Sequence, residues 1–452
     1  MTVHHDSTTD KNPATVATTV AELLRDERFD ELATLFAPRM AAVVSAETVR
    51  VGWTGEIAKI GAVRELGTPV VEPSDDGLTK TQVLVTCESG GLAVHLAVDA
   101  AGLLHGLRLA APAESGWTAP DYASPRLFTE REISLGSGAT AVSGTLTLPK
   151  GRGPRPAVVL VASGPADRDV TVGPNKPFKD LAWGLAARGV AVVRFDKLSH
   201  THGGSESAPG FTMVDEYLPH ALAAVELLRR EPGVDPARVF VAGHSGGGKA
   251  APRIAAADPG IAGVIILAGD TIPLTRSILR ALHHIAAVQP EEDLTDILAA
   301  TRKQVACTES PALSAHTPAT ELLFGWPASY WLDLRDYDQV ATAATLNRPI
   351  LLVQGGRDYQ VTAEEDLPLW EAGLAGADVT VRVHPADDHM FFRGTGPSTP
   401  AGYLVAQHVD PVVIAELAEW VGAEPVRPTV RDRIADLRNR LRGSGARASI
   451  SG

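Results

Sequence analysis

The chain has 452 residues, 44% of them hydrophobic and 21% charged, with a formal net charge of −13. That acidic balance argues against nucleic acid as a partner, and no apolar run approaches the roughly 20 residues of a membrane-spanning helix. Cys87 and Cys307 lie far apart with no Cys or His at metal-ligand spacing, which excludes a disulfide framework and a thiolate metal site. The length suits two or three domains. The N-terminus, Met1-Thr2-Val3-His4-His5-Asp6, lacks the basic-then-apolar build of a signal peptide, so a cytoplasmic protein is expected.

Residues 1–14 are polar and rich in Thr, and disorder is expected there. Helical spacing follows at Val16, Val20, Leu23, Leu24, Phe29, Leu32, Leu35 and Phe36. Three strand-like runs come next, at 81–87, 92–98 and 103–109, joined by Glu88-Ser89-Gly90-Gly91 and Asp99-Ala100-Ala101-Gly102. Helices followed by two turn-linked hairpins predict a small α+β domain over 15–110. The Pro/Ser/Ala-rich residues 111–127 read as a linker.

From residue 128 the pattern changes to hydrophobic strands alternating with helices, the mark of an α/β domain with a mostly parallel sheet. Eight strands are expected, at 129–135, 140–148, 157–162, 191–195, 239–242, 263–267, 350–354 and 380–384. The main helices are expected at 178–188, 216–230, 247–257, 363–372 and 411–421. Residues 271–344 interrupt this alternation with helical pattern broken by Pro311, Pro318 and Pro327. An insertion of that length in a compact domain is expected to form a cap or lid. The domain is taken to end at 424. Residues 425–452 carry Arg427, Arg431, Arg433, Arg438, Arg440 and Arg442, with Ile434, Leu437 and Leu441 at helical spacing. They predict a short basic amphipathic helix docked on the acidic body, then a frayed tail.

The chemistry centres on the fifth of these strands. Val239-Phe240-Val241-Ala242 runs into Gly243-His244-Ser245-Gly246-Gly247, and an Ala-rich helix follows. A serine on a sharp strand-to-helix turn is the setting of a nucleophile elbow, where glycines relieve crowding and the helix N-terminus favours a developing oxyanion. Such a serine needs a base to take its proton and an acid to orient that base, in the chain order Ser, Asp, His. The seventh strand ends in Gln354-Gly355-Gly356-Arg357-Asp358 and the eighth is followed by Asp387-Asp388-His389. Ser245, His389 and Asp358 are therefore the expected triad. His384 competes as base and Asp270, after the sixth strand, as acid. One oxyanion donor is expected from the Gly246 N–H. The second belongs to the loop after the third strand, Ala162-Ser163-Gly164-Pro165; Pro165 has no N–H, which leaves Ser163 or Gly164, with Ser163 preferred. Asp167-Arg168-Asp169 reads as a charge network pinning that loop, since Arg168 neutralises the carboxylates. No third ligand accompanies His200 and His202, so no metal is assigned and no cofactor is expected.

These residues resemble the α/β-hydrolase superfamily, and more closely bacterial serine esterases with an N-terminal domain of NTF2-like shape. The resemblance rests on residues 163–169 with Gly173-Pro174-Asn175-Lys176-Pro177-Phe178, on Gly243-His244-Ser245-Gly246-Gly247, and on Pro327-Ala328-Ser329-Tyr330-Trp331-Leu332-Asp333-Leu334. Gln354-Gly355-Gly356-Arg357-Asp358-Tyr359-Gln360-Val361-Thr362 completes it. It covers nearly all of 128–422 and is weaker over 15–110. It implies an α/β-hydrolase fold with a helical cap, and hydrolysis of small carboxylic esters through Ser245, Asp358 and His389 and an acyl-enzyme. The segment before the base departs from the family: Asp387 and Asp388 would raise the His389 pKa or bind a cationic substrate group. Trp326, Tyr330 and Trp331 in the cap line an apolar pocket or form the cap's own core, and Gly164 and His244 are expected at the pocket edge. A thioesterase or acyltransferase/cyclase acting on a natural-product acyl group, and a ligand-binding protein with an unused triad, are the rival readings. The expected partner is a small-molecule ester, with homodimerisation through the N-terminal domain as a further expectation.

Overall fold

The computed structural model describes residues 12–42, 44–73, 78–88, 90–110, 117–151, 153–202, 208, 210–291 and 293–423. The basic stretch expected over 425–452 lies outside them. The chain forms two compact units, residues 1–116 and 117–452.

In the first unit α1 (Pro13–Arg25), α2 (Phe29–Ala33), α3 (Pro38–Ala41) and α4 (Ala46–Ile60) precede a sheet of β1 (Val63–Leu66), β2 (Val70–Pro73), β3 (Thr79–Cys87), β4 (Gly90–Val98) and β5 (Leu104–Ala110). All pairings are antiparallel, with β3 between β4 on one side and β1 and β2 on the other. Val20, Leu24, Leu32 and Trp53 pack against Val83, Val85, Val94 and Leu104. Asn12 caps α1 through a bond from the Ala14 N–H, so the helix starts inside the stretch expected to be disordered. Helix α4 and strands β1 and β2 escape a periodicity reading because α4 is weakly amphipathic, with Val49 and Trp53 its buried apolar side chains.

The second unit begins before residue 128. Trp117 donates its indole N–H to Asp180 at 2.8 Å and packs edge-on against Trp183, so part of the expected linker is built into the unit. Its strands are β6 (Phe128–Leu135), β7 (Val142–Pro149), β8 (Arg155–Val161), β9 (Ala191–Phe195), β10 (Val234–His244), β11 (Val264–Leu267), β12 (Ile350–Gly355) and β13 (Val379–His384). Its helices are α5 (Pro177–Ala187), α6 (Leu198–Thr201), α7 (Met213–Arg230), α8 (Gly246–Ala257), α9 (Leu274–Val288), α10 (Thr295–Thr308), α11 (Ala328–Asp336), α12 (Gln339–Ala344), α13 (Leu367–Gly373) and α14 (Pro411–Trp420).

The sheet order is β13-β12-β11-β10-β8-β9-β7-β6, with β7 antiparallel to both its neighbours, β9 and β6, and the other pairings parallel. The central strands are apolar on both faces because both faces are covered. Val159, Val161, Val239 and Val241 point to the side of α7 and α8, while Val158, Leu160, Phe240 and Ala242 point to the side of α5 and α14. The expected strands and helices recur within a few residues. The larger slips are at β10, which begins at Val234 instead of 239, and at α13, where Asp366 takes the Thr362 N–H and delays the helix. Residues 271–344 form a helical layer from α9 to α12 with its own core of Val305, Leu322, Leu323, Ala328 and Trp331. Pro318 and Pro327 sit at the starts of helical turns, as their missing N–H groups allow.

Candidate active site

Ser245 sits between β10 and α8 at φ 56° and ψ −121°, a conformation that non-glycine residues adopt only under constraint. Two glycines make the turn possible. A Cβ on Gly243 would lie 2.0 Å from the Gly247 carbonyl oxygen, and one on Gly247 would lie 2.0 Å from that of Val161. The Ser245 N–H bonds the Leu267 carbonyl at 2.9 Å, which ties the turn to β11. Lys249 N–H returns to the Ser245 carbonyl at 3.0 Å and starts the helix. The Gly246 N–H, at the first turn of α8, and the Ser163 N–H, just past β8, meet no backbone acceptor among the described residues. The Gly164 N–H is engaged: it donates to the Tyr217 hydroxyl at 3.2 Å. Of the two donors left open by the sequence, Gly164 is thus already occupied.

Asp358 and His389 come from the ends of β12 and β13. A Cβ on Gly355 would lie 2.5 Å from the Asp388 carbonyl, so the glycine lets the His389 loop pass close over β12. His389 Nδ1 lies 2.7 Å from Asp358 Oδ2, with side chains 3% and 0% exposed. The other carboxylate oxygen of Asp358 accepts the N–H groups of Gln360 (2.8 Å) and Val361 (2.9 Å). Burial alone would depress the His389 pKa, but the charge and hydrogen bond of Asp358 outweigh it and hold the imidazole above its ordinary value. Among the described residues no hydrogen bond joins Ser245 to His389; such contacts often tighten only once substrate binds.

The rival assignments find other partners. Asp270 forms an ion pair with Lys249 at 2.7 Å. His384 points toward Glu416, with Nε2 3.3 Å from its carboxylate. Asp388 accepts the N–H groups of Met390 and Phe392, and Asp387 is buried beside Asp410, so neither carboxylate lines the chamber beside Ser245. Among the described residues the two carboxylates thus form no cationic-group site at this chamber, whereas the charge of Asp388 does help raise the His389 pKa, the other outcome expected of them. Arg168 bridges Asp196 and Glu132, while Asp169 pairs with Arg194 and Lys176.

A chamber of about 90 Å³ opens beside Ser245, Gly246 and Ser163, roofed by Trp326 and Tyr330. Trp331 is excluded from it: this ring lines a second cavity of about 420 Å³ and packs in the cap core. Gly164 lines a small neighbouring space with Glu216 and Ser199. His244 is not at the pocket edge. It lies beneath His389, ring centroids 4.7 Å apart, and donates Nε2–H to the His389 carbonyl at 2.7 Å. Burial, and then the neighbouring His389, push its pKa down to about 3, so it stays neutral and serves as a spacer.

Sequence reasoning missed Lys249, Tyr217 and Met213 as chamber residues. Lys249 carried a signal, since four residues beyond Ser245 it falls in the first turn of the helix that the serine precedes. Tyr217 and Met213 reach the chamber from α7, far away in sequence, and nothing local announces them.

Residues 158–406, more than half of the chain, match the alpha/beta hydrolase family. The chain is 32% identical to Esterase EstD of Thermotoga maritima over 407 residues, 88% of this chain and 92% of that protein. Among solved structures it resembles Est1E of Butyrivibrio proteoclasticus (15% identity, TM-score 0.42, 64% of this chain and 96% of that one). An esterase of Pyrococcus furiosus is similar at 16% identity and TM-score 0.41, covering 59% of this chain and 86% of its own.

Proposed function

The chain belongs to the alpha/beta hydrolase family, and on that premise we propose that it is a carboxylic ester hydrolase working through Ser245, His389 and Asp358. The observation that carries this reading is the strained serine at φ 56° together with the buried 2.7 Å Asp358–His389 pair at two strand ends. In the proposed reaction His389 Nε2 takes the Ser245 proton as the oxygen attacks the ester carbonyl. Asp358 keeps the proton on Nδ1, fixing the tautomer that leaves Nε2 free to accept. The N–H groups of Gly246 and Ser163 hold the oxyanion. His389 then protonates the leaving alcohol, and water attacks the acyl-enzyme by the same route. The order of helices before an antiparallel sheet supports reading the first unit as an NTF2-like domain. A cytoplasmic location and a homodimer belong to the same proposal; light scattering tests the second.

The test is hydrolysis of p-nitrophenyl acetate and butyrate by the wild type and Ser245→Ala, with products analysed in the presence of added alcohols. Turnover lost by at least about 10³-fold in the variant, with free acid as product, supports the reading. Retained turnover in Ser245→Ala refutes it. Ester formed with the added alcohol in preference to acid would replace hydrolysis by acyl transfer.

A further inference from the structure

The chamber beside Ser245 contains a charged pair that ester cleavage as described does not use. Lys249 Nζ and Asp270 Oδ2 are 2.7 Å apart, their side chains 9% and 7% exposed, and both line the chamber. Lys249 lies in the first turn of α8, and its N–H bonds the Ser245 carbonyl at 3.0 Å. Asp270 follows β11, whose Leu267 carbonyl anchors the Ser245 N–H. Both charges are thus fixed by the backbone that fixes the serine.

The pair is incompletely satisfied. An ammonium has three donors and a carboxylate about four acceptor positions. Among the described residues the Lys249 ammonium has Asp270 as its one partner, and Asp270 Oδ1 has none. Removing two charges from water costs several kcal/mol per ion unless further hydrogen bonds satisfy them. The chamber wall is largely apolar at Met213, Leu274, Ile278 and Leu334, and among the described residues none of its polar side chains, Ser277 and Gln360 included, bonds the pair. The spare donors and acceptor are left for an occupant of the chamber.

We propose that the Lys249–Asp270 pair selects short esters whose acyl group carries a hydroxyl. This rests on the esterase reading above and names its substrate class. The pair is neutral overall and offers a donor beside an acceptor. A hydroxyl answers both, accepting from the ammonium and donating to the free carboxylate oxygen. A carboxylate would be drawn to Lys249 but repelled by Asp270, and an alkyl chain would leave both ions unsolvated. The size limit follows from the volume: at roughly 10–15 Å³ per water-sized group, about 90 Å³ holds a chain of a few heavy atoms.

The experiment compares kcat/KM for ethyl 3-hydroxybutyrate, ethyl butyrate and monoethyl succinate, followed by pH-stat. The proteins are the wild type and Lys249→Met/Asp270→Leu. The double variant is chosen because either single change strands a buried charge, whereas an apolar pair is tolerated. The wild type is expected to favour the hydroxy ester over ethyl butyrate by at least about tenfold. The double variant is expected to lose that preference or reverse it. A wild type that favours ethyl butyrate, a faster reaction with monoethyl succinate, or an unchanged ratio in the double variant overturns the proposal. Active-site titration with a fluorophosphonate accompanies each preparation. Labelled enzyme with the wrong preference overturns the specificity alone; unlabelled, folded enzyme overturns the esterase reading and this proposal with it.

Discussion

Replacing Asp358 by Asn tests the proposed triad with almost no change in shape. Asp358 Oδ1 accepts two backbone N–H groups, from Gln360 and Val361, while Oδ2 faces His389 Nδ1 at 2.7 Å and Gln354 Nε2 at 3.3 Å. An asparagine must keep its oxygen on the two backbone donors, because the opposite orientation sets an NH2 against both of them. Its NH2 then points at His389 and Gln354. Nδ1 becomes an acceptor, the ring proton moves to Nε2, and the imidazole can no longer take the Ser245 proton. Loss of the correct tautomer lowers kcat by about 10⁴-fold, with KM changed little. The donor facing Gln354 in a buried site destabilises the fold by about 1–3 kcal/mol, small enough to leave a folded enzyme. Stopped assays with p-nitrophenyl butyrate, together with thermal melting, measure both effects. A folded Asp358→Asn variant within tenfold of wild-type kcat would refute the role given to Asp358.

Three further outcomes are expected. Because Asp358 holds the His389 pKa above its ordinary value, kcat/KM should rise with pH and level off above about pH 6.5; a limb below that value contradicts the coupling. Burial, and then the charge of Asp410, push the Asp387 carboxyl up to about 7, so the folded state holds a proton that the unfolded chain releases near pH 4. Its contribution is full below about pH 4 and is lost by up to about 1.4 kcal/mol per pH unit as pH rises to about 7. Asp387→Asn should flatten that decline in urea melts at pH 5 and 8, and parallel profiles would speak against it. Gly247→Ala places a Cβ 2.0 Å from the backbone oxygen of Val161, which cannot move without breaking β8, and should destabilise by at least about 3 kcal/mol; a melt within 1 kcal/mol of wild type counts against the elbow geometry.

Much of the second unit was legible because a covered parallel sheet writes itself as apolar runs, such as Val158-Val159-Leu160-Val161 and Val239-Phe240-Val241-Ala242. The positions of Ser245, Asp358 and His389 followed from one rule, that reacting side chains gather at strand C-termini. The structure places Asp358 and His389 in contact at such ends. What stayed hidden depends on contacts distant in sequence. Trp331 turns into the cap core while Tyr330, its neighbour on one short helix, roofs the chamber with Trp326, a choice that composition cannot make. Asp270 looks like a spare triad acid until Lys249 is seen to claim it. Asp387 and Asp388 look like pocket charges until the loop folds them inward onto Asp410 and onto backbone N–H groups. The first unit was less legible, since α4 buries a narrow stripe and β1 and β2 are each four residues long.

The most direct measurement is intact-protein mass spectrometry after treatment with a fluorophosphonate, beside Ser245→Ala and His389→Ala. An activated serine predicts a single adduct mapped to Ser245, absent from the first variant and slowed by orders of magnitude in the second. A folded wild-type protein that takes no label, or labels equally in Ser245→Ala, would contradict the account at its centre.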